Sequence, residues 1–328
     1  MATQQQIPLS SRSLRRRLTV SETQFKNIAY VALASLTLIV FTGAAVRLTN
    51  SGLGCPTWPR CSGHIYPPLG LHPLIEFSNR VLSGFVGVMC AAVVVAAYRR
   101  APVRRDLIWL AWTLPLGVVA QAVLGGFTVR EKLAPGFVMA HYMLSMVILI
   151  FAAALAWRAA HPTGWRPRSG DRVVVWCVRG LAVLCAFTLF AGTAATAAGP
   201  HSGGNVGQVI KRLHFKGPNT LEWVVNQHAT VAALFGVLVI AVWFLKRQRG
   251  HAFQPAEPIT ILGVLLAGQG LVGAVQYELK LPGQMVWVHV AMATITWLVM
   301  LWAVAVEGRP GPRRPVSVVA PAATLNAE

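Results

Sequence analysis

The sequence predicts an all-α integral membrane protein whose eight transmembrane helices form two pseudo-symmetric four-helix bundles. The 328-residue chain is 55% hydrophobic and only 12% charged, whereas a soluble domain carries about 25% charged residues. Apolar runs of about 20 residues recur along it, and a run of that length crosses the hydrocarbon core of a bilayer as a helix. The eight predicted spans are 27–48, 76–98, 106–128, 135–157, 173–197, 222–245, 257–277 and 284–306.

Basic residues are concentrated in every second loop, and they account for the formal net charge of +19. Cytoplasmic loops carry an excess of Lys and Arg, so the chain is predicted to lie in a cell membrane with both termini cytoplasmic. No contiguous basic face with aromatic residues is visible in the sequence, which argues against a nucleic-acid partner and leaves membrane lipid as the surroundings. The first apolar run is too long for a cleavable signal peptide and is expected to stay as an anchor.

A basic segment at 158–172 separates two halves that resemble each other. Gln121 opens a QAVLG motif and Gln269 a QGLVG motif, and a histidine follows each glutamine after 20 residues, at His141 and His289. Such a repeat is typical of membrane proteins built from two similar units. The predicted organisation is a cytoplasmic tail at 1–26, an N-terminal four-helix unit at 27–157, the cytoplasmic linker at 158–172, a C-terminal four-helix unit at 173–306 and a cytoplasmic tail at 307–328.

The loop after the first span, residues 49–75, is external by the charge rule and is rich in Gly and Pro. It contains Cys55 and Cys61, two cysteines close together on the oxidising side of the membrane, where disulfides form. The pair either stiffens the loop as a structural bond or undergoes reduction and re-oxidation. The remaining cysteines fall within apolar spans and are interpreted as core residues. They are Cys90, Cys177 and Cys185.

Three histidines lie within predicted spans, at positions 141, 228 and 289. Ionisable residues at membrane depth are rare and by default mark a function. By topology all three lie in the outer half of their helices, and His228 and His289 share one depth in the C-terminal unit. Two imidazoles on facing helices of a bundle bind heme iron from both sides. The alternative for each ring is a hydrogen-bonded packing residue.

In the N-terminal unit the corresponding pair is Asn79 and His141. Asn79 precedes His228 by 149 residues, and His141 precedes His289 by 148, so both positions follow the same internal repeat. Asparagine is a poor iron ligand. This site is therefore predicted to have one protein ligand or an open sixth position, which suits a substrate heme that must enter and leave.

Three charged residues lie near this second site. Glu76, about one helical turn before Asn79, either moves a proton or stabilises positive charge on an oxidised intermediate, or simply pairs with Arg80 four residues on. Arg47 and Arg80 are expected near the outer surface. They either pair with heme propionates or snorkel to the membrane interface.

Several of these motifs together resemble the heme A synthase family. They are TGAAVRLTNSGLGCPTWPRC at 42–61, IEFSNR at 75–80, QAVLGG at 121–126 with its following histidine, and the pair His228 and His289. The resemblance covers roughly 27–306. It implies an eight-helix protein of two similar bundles that oxidises the C8 methyl of heme O to a formyl group, giving heme A for terminal oxidases. It also implies a b-type heme, with its iron, in the C-terminal unit and a substrate site in the N-terminal unit.

By position, the resemblance makes His228 and His289 the ligands of heme b and turns His141 toward the substrate heme. Glu76 matches a glutamate that the family is thought to use in catalysis. Cys55 and Cys61 match a loop cysteine pair found in many bacterial members. The chain departs from the family motif at Asn79, where the motif has histidine. The implied partners are heme O, heme O synthase and terminal oxidase assembly factors, with a possible homo-oligomer.

Two other functions are consistent with parts of the sequence. A bis-histidine membrane cytochrome that only carries electrons would need paired histidines at both membrane faces, whereas the span histidines here lie toward one face. A membrane thiol oxidoreductase would use Cys55 and Cys61, and it typically has a second external cysteine pair, which this sequence lacks.

Overall fold

The computed structural model describes residues 19–162, 165, 168–169, 171–205 and 207–310. Apart from two strands of two residues each, its regular structure is helical, and eight of the helices are long and apolar enough to cross a membrane, as predicted. The two predicted tails lie largely outside the described residues, as do five positions between 163 and 170. The helices are α1 Glu22–Leu48, α2 Leu71–Arg99, α3 Arg105–Arg130, α4 Pro135–Ala159, α5 Arg172–Ala198, α6 Thr220–Gln248, α7 Pro258–Glu278 and α8 Gly283–Glu307.

Two helices begin five residues earlier than the apolar runs predicted. α1 starts after Ser21, whose hydroxyl accepts the N–H of Gln24 while the Gln24 side chain accepts the N–H of Ser21. This capping box satisfies N–H groups that have no partner within the helix. α2 starts at Leu71 and carries Pro73 in its first turn, where a missing N–H costs little. Glu76 therefore lies in the second turn of α2.

The order of helix contacts is the same in both halves. α1 to α4 contact one another in sequence and α1 also contacts α4, while α5 to α8 repeat this pattern with α5 against α8. The halves meet where α1 and α4 contact α8 and where α4 contacts α5. Two indole hydrogen bonds cross this interface, from Trp297 to the carbonyl of Met146 at 3.0 Å and from Trp287 to the carbonyl of Phe41 at 2.9 Å.

The α3–α4 and α7–α8 turns share one unusual backbone conformation. Lys132 and Leu133 have φ of 50° and 59°, and Lys280 and Leu281 have φ of 63° and 62°. The N–H of each leucine bonds the carbonyl five residues before it, at 2.8 and 2.7 Å. A left-handed conformation costs an L-residue about 1–2 kcal/mol. Its presence at equivalent positions supports the internal repeat and fixes where α4 and α8 begin.

Ion pairs tie the helix ends of the C-terminal half at the end remote from the cysteine loop. Lys246 at the end of α6 pairs with Glu257 before α7 and, at 2.5 Å, with Glu307 at the end of α8. Arg249 pairs with Asp171 before α5 at 3.2 Å. Nearby, strand β1 Arg168–Ser169 pairs in parallel with β2 Arg309–Pro310. The four helices are thus held together at this end by side chains from four different elements.

Candidate functional site

The disulfide loop, residues 49–70, lies between α1 and α2. Cys55 and Cys61 form the predicted disulfide, with their Cα atoms 4.6 Å apart. We call the end of the helices that carries this loop the disulfide face. All three span histidines lie toward it, because His141 and His289 are the seventh residues of α4 and α8 and His228 is the ninth of α6, and all three helices begin there.

Glu76 and Arg80 fasten the disulfide loop to α2. The N–H of Cys55 donates to Oε2 of Glu76 at 2.7 Å, and Oε1 of Glu76 pairs with Arg80 one turn further on. Arg80 also donates to the carbonyls of Cys55 at 2.8 Å and Thr57 at 2.9 Å. Glu76 is consequently buried, with 6% of its surface exposed. The predicted pairing of Glu76 with Arg80 is present, and it is part of a larger contact.

Close packing completes the attachment of this loop. A Cβ atom on Gly54 would lie 2.4 Å from the carbonyl oxygen of His72, and one on Gly126 would lie 2.8 Å from the ring of Trp58. Only glycine fits at such distances. His72, which the sequence placed in the loop, lies in the first turn of α2 and hydrogen-bonds the hydroxyl of Ser51 at 3.0 Å. The loop therefore covers the start of α2 and the end of α3.

Arg47 joins the two halves at the disulfide face. Its Nε donates to the carbonyl of His201 and its Nη2 to the carbonyl of Thr196, both at 3.0 Å. Beside it, the N–H of Gly52 donates to the carbonyl of Gly203 at 2.8 Å. These partners lie about 150 residues away in sequence, and no pattern in the sequence indicated them. The described contacts of Arg47 and Arg80 thus go mainly to backbone carbonyls.

The rings of His228 and His289 lie next to each other in the C-terminal half. Their centroids are 6.2 Å apart and their planes make an angle of 79°. A metal between two opposed imidazoles lies about 2 Å from each nitrogen. Each nitrogen lies about 1.1 Å from its ring centroid when ring bonds are about 1.35 Å. Such a pair has its centroids about 6 Å apart, so the observed spacing fits one iron held between the rings.

Each of these rings packs against a helix glycine. A Cβ atom on Gly192 of α5 would lie 3.0 Å from Cε1 of His228, and one on Gly273 of α7 would lie 3.3 Å from Cε1 of His289. Gln269, one turn before Gly273, donates from Nε2 to the backbone carbonyl of His289 at 3.2 Å. A glutamine and a glycine one turn apart therefore position both the backbone and the ring of His289.

The N-terminal half repeats this arrangement around His141. A Cβ atom on Gly125 would lie 3.3 Å from Cε1 of His141. Gln121 donates from Nε2 to the carbonyl of His141 at 3.0 Å and to Oγ of Ser145 at 2.6 Å. The sequence identified both glutamines as repeat landmarks, but it did not indicate that they bond the histidine backbone.

Polar atoms in both sites are buried without partners among the described residues. They include Nδ1 of His141 and His289, Oε1 of Gln121 and Gln269, and Oδ1 of Asn79. Buried polar groups normally have hydrogen bonds, so these atoms indicate positions where a ligand or water contributes. Within the described part of the chain, no three His, Cys, Asp or Glu side chains converge as a metal site. Two imidazoles suffice for heme iron, because the porphyrin supplies the other ligands.

Comparison with known proteins gives consistent results. Residues 26–73 and 71–301 match the family described as cytochrome oxidase assembly protein. Similar proteins include the heme A synthases of Bacillus licheniformis, 29% identical over 37% of this chain and 41% of that protein, and of Alkalihalophilus pseudofirmus, 26% identical over 65% and 74%. That of Bacillus cereus strain 03BB102 is 25% identical over 51% of this chain and 55% of its own length. The aligned segments thus span about half the length of two of these relatives. The chain belongs to the heme A synthase family of cytochrome oxidase assembly proteins, as its motifs predicted.

Proposed function

We propose that this protein is a heme A synthase that oxidises the C8 methyl of heme O, through a hydroxymethyl, to the formyl group of heme A. The observation that carries the proposal is the adjacent pair His228 and His289, with ring centroids 6.2 Å apart, in a chain of the heme A synthase family.

His228 and His289 are proposed to hold the iron of a heme b in the C-terminal unit. When bound, this heme supplies a redox centre that accepts or relays electrons. The residues around it keep the imidazoles in place: Gly192 and Gly273 let them pack close to neighbouring helices, and Gln269 fixes the backbone of His289. A rigid arrangement lowers the reorganisation needed on each change of charge.

The N-terminal unit is proposed to bind heme O, with His141 facing its iron. The apolar farnesyl tail of heme O suits access from the lipid, and the spans expose apolar side chains outward, among them Phe85 and Val88 of α2.

Arg47 and Arg80 are proposed to place the propionates. Among the described residues, Arg47 donates only from Nε and Nη2 to backbone carbonyls, so it keeps N–H groups for a bidentate contact with a carboxylate. Arg80 already bonds Glu76, Cys55 and Thr57, and a single remaining N–H is proposed to reach a propionate.

Glu76 is proposed as the catalytic carboxylate. It lies three residues before Asn79 on α2, and its two oxygens are held by Cys55 and Arg80. A fixed carboxylate stabilises positive charge that develops on an oxidised substrate, or takes up a proton from it. The disulfide contributes to this position because Cys55 itself supplies one of the hydrogen bonds.

The disulfide face is proposed to be the outer surface of the cell membrane, with both termini cytoplasmic. The charge rule supports this topology, since basic residues adjoin the other helix ends. Heme O synthase and terminal oxidase assembly factors are the proposed partners, and a homo-oligomer is compatible with the exposed apolar spans. The proposed units are 27–157 for substrate and 173–306 for heme b.

Coexpression with heme O synthase in a host that makes no heme A tests the proposal. Extracted pigment should contain heme A with the native chain and heme O alone with His228→Ala. Heme O unchanged with the native chain would refute the activity.

Replacing Cys55 and Cys61 by serine distinguishes the heme enzyme from the alternative of a membrane thiol oxidoreductase. A thiol oxidoreductase loses all turnover, whereas a heme enzyme with a structural disulfide retains some.

A further inference from the structure

The two halves differ at one position of an otherwise repeated site. Asn79 is the ninth residue of α2 and His228 is the ninth of α6, while His141 and His289 are each the seventh residue of their helices. Residues 121–141 and 269–289 preserve the glutamine, the glycine and the histidine with nearly the same contacts. The first half therefore has one imidazole where the second has two.

The neighbouring glycines show that the place of the missing ring is open. A Cβ atom on Gly192 would lie 3.0 Å from the His228 ring. Gly43, which precedes Gly192 by the same 149 residues that separate Asn79 from His228, would have no atom of the described residues within 4 Å of its Cβ. The Asn79 side chain is shorter than that of His228, and it leaves open beside Gly43 the space that the His228 ring occupies beside Gly192.

Asn79 itself lacks a hydrogen-bond partner for part of its carboxamide. Its Oδ1 is buried and has no partner among the described residues. The backbone carbonyl of Asn79, in contrast, accepts a hydrogen bond from the Ser83 hydroxyl at 2.8 Å. The unpartnered Oδ1 is free to accept a hydrogen bond from a small polar molecule, and the NH2 group of the same amide is a donor. It does not offer the imidazole nitrogen that iron prefers.

We propose that the N-terminal half is a one-histidine heme site, with its second axial position open to a small ligand such as water or a diatomic molecule beside Asn79. The C-terminal half is closed to such ligands by His228 and His289. The inference rests on the proposed heme binding, and it adds a ligand site that only one half possesses. In this arrangement the Asn79 amide hydrogen-bonds the small ligand, since hydrogen-bond donors and steric access decide what binds at such a position.

Carbon monoxide titration of the purified, hemin-loaded and reduced protein tests this directly. The native chain should bind about one carbon monoxide per two hemes, because only one axial position is open. Asn79→His should weaken this binding by about tenfold or more, since the new imidazole competes for the position. His228→Asn is the matched reverse exchange, and it should create carbon monoxide binding in the second half.

A second variant covers the case in which Asn79→His does not fold. Asn79→Ala keeps the position open, so it should still bind carbon monoxide, with a shifted C–O stretching frequency because the amide contact is lost. Native protein with two six-coordinate hemes and no carbon monoxide binding would overturn the inference. So would unchanged binding in Asn79→His. Protein that takes up no hemin in either half would instead refute the proposed heme function, and this result is read from heme content before any gas is added.

Discussion

The backbone N–H of Cys55 donates a 2.7 Å hydrogen bond to Oε2 of Glu76. One half of the disulfide is thereby fixed to the second turn of α2, three residues from Asn79. Arg80 strengthens the same contact from the other side, by pairing with Glu76 and bonding the carbonyl of Cys55. Loop structure and the proposed catalytic carboxylate are therefore coupled, and the two contributions can be separated by substitution.

Glu76→Gln should abolish most heme A formation while leaving the fold intact. The glutamine keeps an oxygen that accepts the Cys55 N–H, but it removes the negative charge beside Arg80. Extracted heme A relative to heme O measures the effect, and heme content with thermal unfolding measures the fold. If Glu76 only holds the loop, the variant will make heme A at the native level.

Removing the disulfide by Cys55→Ser and Cys61→Ser should lower the free energy of unfolding by about 2–3 kcal/mol, as expected for closing a short loop. Thermal unfolding in detergent measures the change. Cys177→Ser is the control, because Cys177 is a free cysteine that lies away from the loop. Equal unfolding temperatures for the double variant and the native protein would contradict this expectation.

His228→Ala and His289→Ala should each remove the low-spin b-type absorption of the heme proposed for the C-terminal half, because each deletes one of the two imidazoles proposed to hold its iron. Reduced-minus-oxidised spectra of purified protein measure it. His161→Ala serves as the control, since His161 stacks on Trp165 with ring centroids 4.0 Å apart, away from the disulfide face. A low-spin spectrum that survives both ligand substitutions would count against the assignment.

Gly192→Ala should disturb the C-terminal heme, because its Cβ would lie 3.0 Å from Cε1 of His228 and the ring must move. We expect a shifted electron paramagnetic resonance signal and reduced heme content. Gly180→Ala on the same helix has no atom of the described residues within 4 Å of its Cβ, and it should stabilise α5 by up to about 1 kcal/mol. Identical spectra for the two variants would show that the close contact has no role.

Asp171 should make stability depend on pH at the end remote from the disulfide loop. Burial raises the pKa of Asp171, but the N–H of Val174, the positive charge of Arg249 and a hydrogen bond from His251 outweigh it, so the pKa lies below its usual value. A lowered folded-state pKa gives stability that is present above the unfolded-state value and is lost as pH falls through the folded-state value.

Asp171→Asn tests this contribution, because asparagine still caps α5 but carries no charge. The variant should be less stable than the native protein by up to about 1 kcal/mol at pH 7. The difference should disappear at an acidic pH below the lowered folded-state pKa of Asp171, where the native carboxyl is also uncharged. Thermal unfolding at the two pH values measures it. A difference that stays constant across this range would exclude the charge as its cause.

Hydropathy predicted the helices well, because each apolar run lies within one helix that is long and apolar enough to cross a membrane. It placed the starts of α1 and α2 five residues late. The first turn of α1 is polar and is held by the Ser21 cap, so hydropathy carries no signal there. The first turn of α2 contains Pro73, which does not indicate a helix interior, and it is held by the contact of His72 with Ser51.

The candidate site was predictable only where the internal repeat marked it. The predicted topology placed His228 and His289 at one depth, and the repeat spacing matched Asn79 to His228 and His141 to His289. The partners of Arg47 were not predictable, because its carbonyl acceptors at Thr196 and His201 belong to the other half. Backbone acceptors leave no residue type in the sequence that identifies them, so the expectation of propionate contacts was formed without knowledge of these bonds.

The left-handed turns Lys132–Leu133 and Lys280–Leu281 set α4 and α8 to begin alike, so each histidine starts from the same geometry in its own half. One molecule thus contains both histidine sites, so they are compared at the same expression level, in the same bilayer and at the same pH. Whatever distinguishes their spectra or ligand affinities belongs to the few side chains that differ between them, and the unaltered half serves as the internal standard.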